Sequence, residues 1–235
     1  MNAPNGPVVE LKEITKIYSQ GEIDVHALNG LDLTIRRGEF VALCGPSGSG
    51  KTTALNLIGA LDKPTSGEVW LEGERLSTLS RQQLSHLRRD RIGFVFQAFN
   101  LIPVLTAYEN AESVLALQGC PATERRDRVM SLLTEVGLKG MEDRRPHELS
   151  GGQQQRVAIV RAIASEPAVV LADEPTANVD SETADKLIEI MAQLNQDRGI
   201  TFIFSTHDTR VMERARRLIR LVDGRISSDS STAAT

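Results

Sequence analysis

Phe40-Val41-Ala42-Leu43-Cys44-Gly45-Pro46-Ser47-Gly48-Ser49-Gly50-Lys51-Thr52-Thr53 is the stretch that decides the fold. The apolar run at its start is short and closed by a glycine, which reads as a strand covered on both faces, as in a parallel sheet. Gly45 to Thr52 satisfies G-x-x-x-x-G-K-[ST], and residues 53–60 continue with helical spacing. The motif therefore stands in the strand, loop, helix setting that its chemistry requires. Glycines let the loop Gly45, Pro46, Ser47, Gly48, Ser49 and Gly50 wrap its backbone N–H groups, which Pro46 alone lacks, around a phosphate chain, and the helix N-terminus adds its dipole. Lys51 supplies a point charge to the outer phosphates, Thr52 a hydroxyl for Mg²⁺, and Thr53 closes the loop. The ligand expected here is a nucleoside triphosphate with Mg²⁺.

Outward from that loop the chain alternates. Val9-Glu10-Leu11-Lys12-Glu13-Ile14 and Leu31-Asp32-Leu33-Thr34-Ile35 alternate apolar with polar and end in turn residues, so the first quarter reads as strands. Ala168-Val169-Val170-Leu171-Ala172 repeats the character of the first apolar run. Helical spacing appears at 106–118, 123–136, 153–165 and 181–194. Strands alternating with helices predict an α/β architecture. Residues 101–149 break the alternation, with helical segments and Gly- and Pro-containing loops but no convincing strand, and are expected to form a helical subdomain inserted in the core of one domain spanning 1–235. The tail, 228–235, is Ser, Thr, Ala and Asp without periodicity and reads as disordered.

Composition narrows the function classes. With 235 residues the chain can bury a substantial core without staples, and 40% hydrophobic with 25% charged residues is that of a folded globular protein. A net charge of −4 gives no footprint for general nucleic-acid binding. Cys44 and Cys120 have no C-x-x-C spacing, so neither a zinc site nor a disulfide framework is indicated and a reducing cytosol is expected. No stretch approaches the roughly 18 apolar residues needed to cross a bilayer, so work at a membrane would need another polypeptide to hold the chain there.

Two further stretches carry chemistry. Val169-Val170-Leu171-Ala172-Asp173-Glu174 ends a buried strand in two carboxylates, which suits a division in which Asp173 holds Mg²⁺ and Glu174 orients or deprotonates the attacking water. The plainer alternative is a cap for the next helix. Leu149-Ser150-Gly151-Gly152-Gln153 opens a second helix with Ser and two glycines, either a second anion-seeking helix start or a simple Ser cap.

With these motifs on the page the sequence resembles the ATP-binding subunit of ABC transporters, Leu149 to Gln153 being the family's signature without substitution. The phosphate loop, Gln97 after Ile92 to Phe96, the signature, Asp173-Glu174, Ala177-Asn178-Val179-Asp180 and His207 follow in the family's order. The resemblance implies a phosphate-loop NTPase core of the ABC ATPase type with an N-terminal antiparallel β region. It also implies a homodimer in which each ATP lies between one phosphate loop and the partner's Ser150, Gly151, Gly152 and Gln153. By the same resemblance Tyr18 stacks on adenine, Gln97 links Mg²⁺ and water to the membrane partner, His207 contacts the γ-phosphate and Asp180 communicates across the dimer. On residues alone, each also has a plainer reading, Tyr18 as core, Gln97 as a strand-end polar residue and His207 as a loop histidine. The stretches 61–67 and 92–103 most resemble the lipoprotein-release and macrolide-efflux branch. That likeness implies an ATPase at the cytoplasmic face of the membrane driving permease subunits for a hydrophobic substrate, or a related complex that signals without transporting.

Overall fold

The computed structural model describes residues 6–21 and 23–231. The core is a six-stranded sheet ordered β10-β9-β3-β8-β7-β6. Its strands are β3 (Phe40–Cys44), β6 (Ile92–Phe96), β7 (Val169–Asp173), β8 (Phe202–Ser205), β9 (Arg217–Val222) and β10 (Arg225–Ser231). All neighbours run parallel except β10, which returns antiparallel on β9. A second, antiparallel sheet is ordered β2-β1-β4-β5, from β1 (Pro7–Gln20), β2 (Ile23–Arg36), β4 (Ser66–Leu71) and β5 (Glu74–Arg75).

The period of two along β3 divides the interior. Phe40 and Ala42 face a cluster built with α3 (Ala107–Leu117), α4 (Ala122–Glu135), α5 (Gly151–Ile163) and α6 (Ser181–Arg198). Val41 and Leu43 face the antiparallel sheet, α1 (Lys51–Ile58) and α2 (Arg81–Arg91). Phe40, Phe202 and Phe204 fill the centre, with ring centroids 4.6 Å apart for Phe40 and Phe204.

Helix starts are set by local chemistry. Ser80, Thr106 and Ser150 each form a capping box with the side chain three residues on, and Asp180 and Asp208 cap α6 and α7 (Thr209–Arg214). At α1 the cap is Gly50 at φ 99°, with no side-chain bond. Its first N–H groups therefore remain for another acceptor.

Residues 101–149 hold α3, α4 and a 3₁₀ turn at Pro146–Glu148 without a strand, and their buried residues join α5 in one cluster. The expected disorder of 228–235 is corrected as far as Ser231, since Ser228, Asp229, Ser230 and Ser231 pair with β9 and Asp229 accepts from Arg217 Nη2 at 2.7 Å. Backbone pairing and an ion pair supply the order that composition does not show. Residues 232–235 lie outside the described residues.

Candidate functional site

β3 delivers its chain to the phosphate loop at the C-terminal end of this inner strand, and a cavity of about 700 Å³ opens there. It is lined by Tyr18, the whole of Gly45 to Thr53, Gln97, Glu174 and His207, together with Val25, His26 and Ala27 of β2. Sequence positions from six separate stretches are thus brought to one place. Lys51, only 8% exposed, donates from Nζ to Gly45 O and Pro46 O, both at 2.9 Å, which centres its charge inside the loop. The loop is held from behind: a Cβ at Gly45, φ 144°, would stand 2.1 Å from Leu221 O, so only glycine lets the strand end approach so closely.

Thr52 Oγ1 donates to Asp173 Oδ1 at 3.1 Å. Two hard oxygen donors therefore stand side by side at the mouth of the loop, matching Mg²⁺, which takes one or two protein oxygens and completes its shell with phosphate and water. Among the described residues no group of three His, Cys, Asp or Glu is placed to hold a metal by itself.

Glu174 follows Asp173 in a left-handed conformation, φ 46°, its N–H bonded to Ser205 O. That turn directs its carboxylate away from that of Asp173 and toward His207, whose Nδ1 lies 2.7 Å from Glu174 Oε1. Thr206 Oγ1 reaches Glu174 Oε2 at 3.4 Å. His207 is largely exposed while Glu174 is mostly covered, an arrangement that leaves the histidine ring free to face an incoming ligand. Gln97 is exposed and pairs with Asn178, whose Nδ2 donates to Gln97 O at 3.0 Å.

Tyr18 is half-covered, with Lys16 Nζ 4.7 Å from its ring centroid and its hydroxyl donating to Asp62 Oδ2 at 2.9 Å. Partial burial and the Asp62 carboxylate both push the phenol above its ordinary pKa, so it stays a neutral, braced ring.

The structure does not bring Ser150, Gly151, Gly152, Gln153 or Asp180 to this cavity; none of them lines it. Ser150 Oγ accepts from Gln153 N–H at 3.3 Å and Gln153 Oε1 accepts from Ser150 N–H at 2.9 Å, so the serine does cap its own helix. Asp180 accepts from Thr183 N–H and Oγ1, bonds that hold its carboxyl below the usual range. Of the two alternatives raised by sequence, the structure displays the Ser cap.

Four residues were assigned no role of their own from the sequence. Asp62 braces Tyr18, and Asn178 braces Gln97. Asp208 accepts from Thr176 Oγ1 at 2.8 Å and from Arg210, tying the segment after Glu174 to the one after His207. Gln155 is completely buried. A signal existed only for Gln155, because it falls in the same helical row as the buried Gly152 and Ile159.

The cavity and its residues define a phosphate-loop nucleoside triphosphatase, with a hydroxyl–carboxylate pair and a carboxylate–histidine pair at the loop's mouth. The ABC transporter family model matches residues 28–177, and the chain belongs to this family as an ATP-binding cassette ATPase. It is 46% identical over 226 residues to the ABC transporter ATP-binding protein MJ0796 of Methanocaldococcus jannaschii, covering 94% of this chain and 96% of that one. It is 47% identical to the macrolide export ATP-binding/permease protein MacB of Brucella melitensis, covering 96% of this chain and 35% of that longer protein. The dimeric, post-hydrolysis structure of MJ0796 bound to ADP and Pi superimposes with a TM-score of 0.88 at 44% identity, over 97% of this chain and 100% of that one. The ABC ATPase fold and the lipoprotein-release and macrolide-efflux branch expected from sequence both stand.

Proposed function

We propose that this chain hydrolyses ATP as a homodimer to drive separate integral-membrane permease subunits, working as a peripheral subunit at the cytoplasmic face of the cell membrane. The observation that carries this reading is the 2.7 Å contact of Glu174 with His207 in the cavity that also holds the phosphate loop. In it the loop N–H groups and Lys51 bind the phosphates, and Thr52, Asp173 and Gln97 hold Mg²⁺, which neutralises phosphate charge. Glu174 accepts the proton of the attacking water, and His207 steadies Glu174 and the outer phosphate. Tyr18 supplies the platform for adenine.

Ser150 to Gln153 and Asp180, lying away from that cavity, complete the site of a second copy. Support comes from the dimeric relative with ADP and Pi. The permease is supported by the ATP-binding/permease relatives, among them the pyoverdine export protein PvdT of Pseudomonas fluorescens, 45% identical. A cavity of about 340 Å³ beside Gln97, lined by Leu61, Phe94, Phe96, Val114 and Leu117, offers that permease an apolar seat. The macrolide and pyoverdine export relatives support an exported cargo, and the sequence resemblance makes it a lipoprotein, a macrolide-like compound or another hydrophobic substrate.

The deciding experiment is Glu174→Gln, followed by light scattering with and without ATP. Expected are intact ATP binding, lost turnover and an ATP-dependent dimer, with Lys51→Ala losing nucleotide altogether. A Glu174→Gln protein that stays monomeric at saturating ATP overturns the reading. Recovered from native membranes with a sensor or cell-division partner in place of a permease, the same variant would point to signalling.

A further inference from the structure

α5 begins at Ser150, the cap of the signature, and ends thirteen residues later against the core. Its row of buried positions contains one long polar side chain, Gln155, at 0% exposure. Its Nε2 donates to Pro175 O at 2.7 Å and to Phe96 O at 3.3 Å. Both neighbours are acceptors, so only the NH₂ end of the amide can face them, and the orientation is fixed by chemistry. Oε1 is left buried without a partner. Core filling alone would favour an apolar residue here, since a buried unpaired acceptor is unfavourable.

The two carbonyls are significant by position. Phe96 immediately precedes Gln97, and Pro175 immediately follows Glu174. Glu174 sits in a left-handed turn that its own propensity does not favour, pinned on one side by its N–H to Ser205 O. Gln155 pins the other side. Six residues along α5, Arg161 donates to Phe99 O at 2.8 Å, and also to Asn100 O, where the chain takes two consecutive left-handed residues, φ 56° and 50°. The signature helix therefore grips the chain on both sides of Gln97 and, through the Gln155 amide, the chain after Glu174.

We infer that Gln155 is a positioning residue for hydrolysis, its amide setting Glu174 and Gln97 to the position of the signature helix. This rests on the roles proposed above for Glu174 and Gln97. A shift of α5 when its N-terminus engages a nucleotide would move both carbonyls together, so that hydrolysis responds to occupation of the signature. Gln155 itself touches no ligand.

The test is Gln155→Met, close in volume but without donors, in the full chain. Expected are a kcat reduced at least tenfold, KM for ATP and the Kd for a fluorescent ATP analogue within twofold of the parent, and an ATP-dependent dimer retained in the Glu174→Gln background. A kcat within twofold of the parent, whatever the melting temperature, makes Gln155 a filler of the core and overturns the inference. So does a rise in KM that accounts for the whole loss. Should Gln155→Met not fold, Gln155→Ala, which leaves room for water at the two carbonyls, is judged by the same split between kcat and KM. Glu174→Gln in the same assay separates the two claims. Turnover surviving that change refutes the role of Glu174; its loss beside full turnover in Gln155→Met refutes only the bridge.

Discussion

Gly152 gives the sharpest quantitative test of how the signature is built. A Cβ placed there would stand 2.2 Å from Thr183 Cγ2, while Thr183 Oγ1 is held by Asp180 Oδ2 at 2.7 Å. The methyl cannot swing aside without breaking that bond, because Cγ2 and Oγ1 are carried on the same Cβ and turn together about χ1. Overpacking of this kind costs about 1–3 kcal/mol, against at most about 1 kcal/mol returned by replacing a helical glycine with alanine, and less in the first turn where Gly152 stands. Gly152→Ala alone should therefore destabilise by about 0–3 kcal/mol, or about 2–4 °C in Tm for each kcal/mol in a chain of this size. Thr183→Ser removes the offending methyl and keeps the hydroxyl. In that background Gly152→Ala should be neutral or stabilising, and the coupling between the two changes should be about 1–3 kcal/mol. Denaturant unfolding of the four nucleotide-free proteins gives the cycle without reference to activity. If the two effects add to within about 0.5 kcal/mol, the contact between α5 and α6 does not explain the glycine and the reasoning fails.

Phe204→Ala, at a fully buried ring packed on Phe40 and Phe202, should cost about 3–5 kcal/mol in urea unfolding with an unchanged m value. For Asp208, burial pushes the carboxyl up, but the bonds from Arg210 and Thr176 outweigh it and the net shift is downward. A depressed folded pKa adds stability above the ordinary carboxylate range and loses it as pH falls through the folded value. The gap between the parent and Asp208→Asn should be about 1.5–3 kcal/mol for a charged hydrogen bond, toward the low end because Arg210 is a third exposed. It should hold from pH 7 to about pH 5 and shrink below about pH 4 in unfolding curves taken across that range; a pH-independent gap would exclude the ion pair as its source.

The sequence was most readable where backbone and chemistry make the same demand. Residues 40–44 and 92–96 are strands with the expected bounds, because a short apolar run next to glycine or ahead of a turn has few other solutions. Boundaries of the helices at 106–118 and 181–194 moved by a few residues, with Thr106 proving to be a cap outside its helix and α6 running on to Arg198. What escaped notice lacked a periodic signature. Only Leu84 and Leu87 of α2 are buried, and the Ser-rich β10 owes its order to β9. Phe202–Ser205 is a strand too short to stand out, although it lies at the centre of the sheet. At the site, motif residues were legible because phosphate binding dictates spacing, whereas Asp62, Asn178 and Asp208 act by tertiary contact with residues 30 or more positions away, or through one partner that is, and no local pattern marks them.

One consequence joins the site to its second half. In this chain the phosphate loop, Glu174 and His207 share a cavity, but the signature faces elsewhere, its Gly151 set against Asn178 and Val179 of the segment that leads to Asp180. If the partner's nucleotide completes its site on this signature, that contact acts at the N-terminus of α5, and within the same subunit α5 leads through Gln155 to the carbonyls beside Glu174 and Gln97. Occupation of one nucleotide site would then adjust the hydrolytic carboxylate of the other. Coupling of this sort requires no long-range distortion of the sheet, only a rigid helix with a ligand at one end and two hydrogen bonds one turn further on. The same arrangement explains why the polar Gln155 stands in an otherwise apolar row: an aliphatic side chain there would fill the space as well and transmit nothing to either carbonyl.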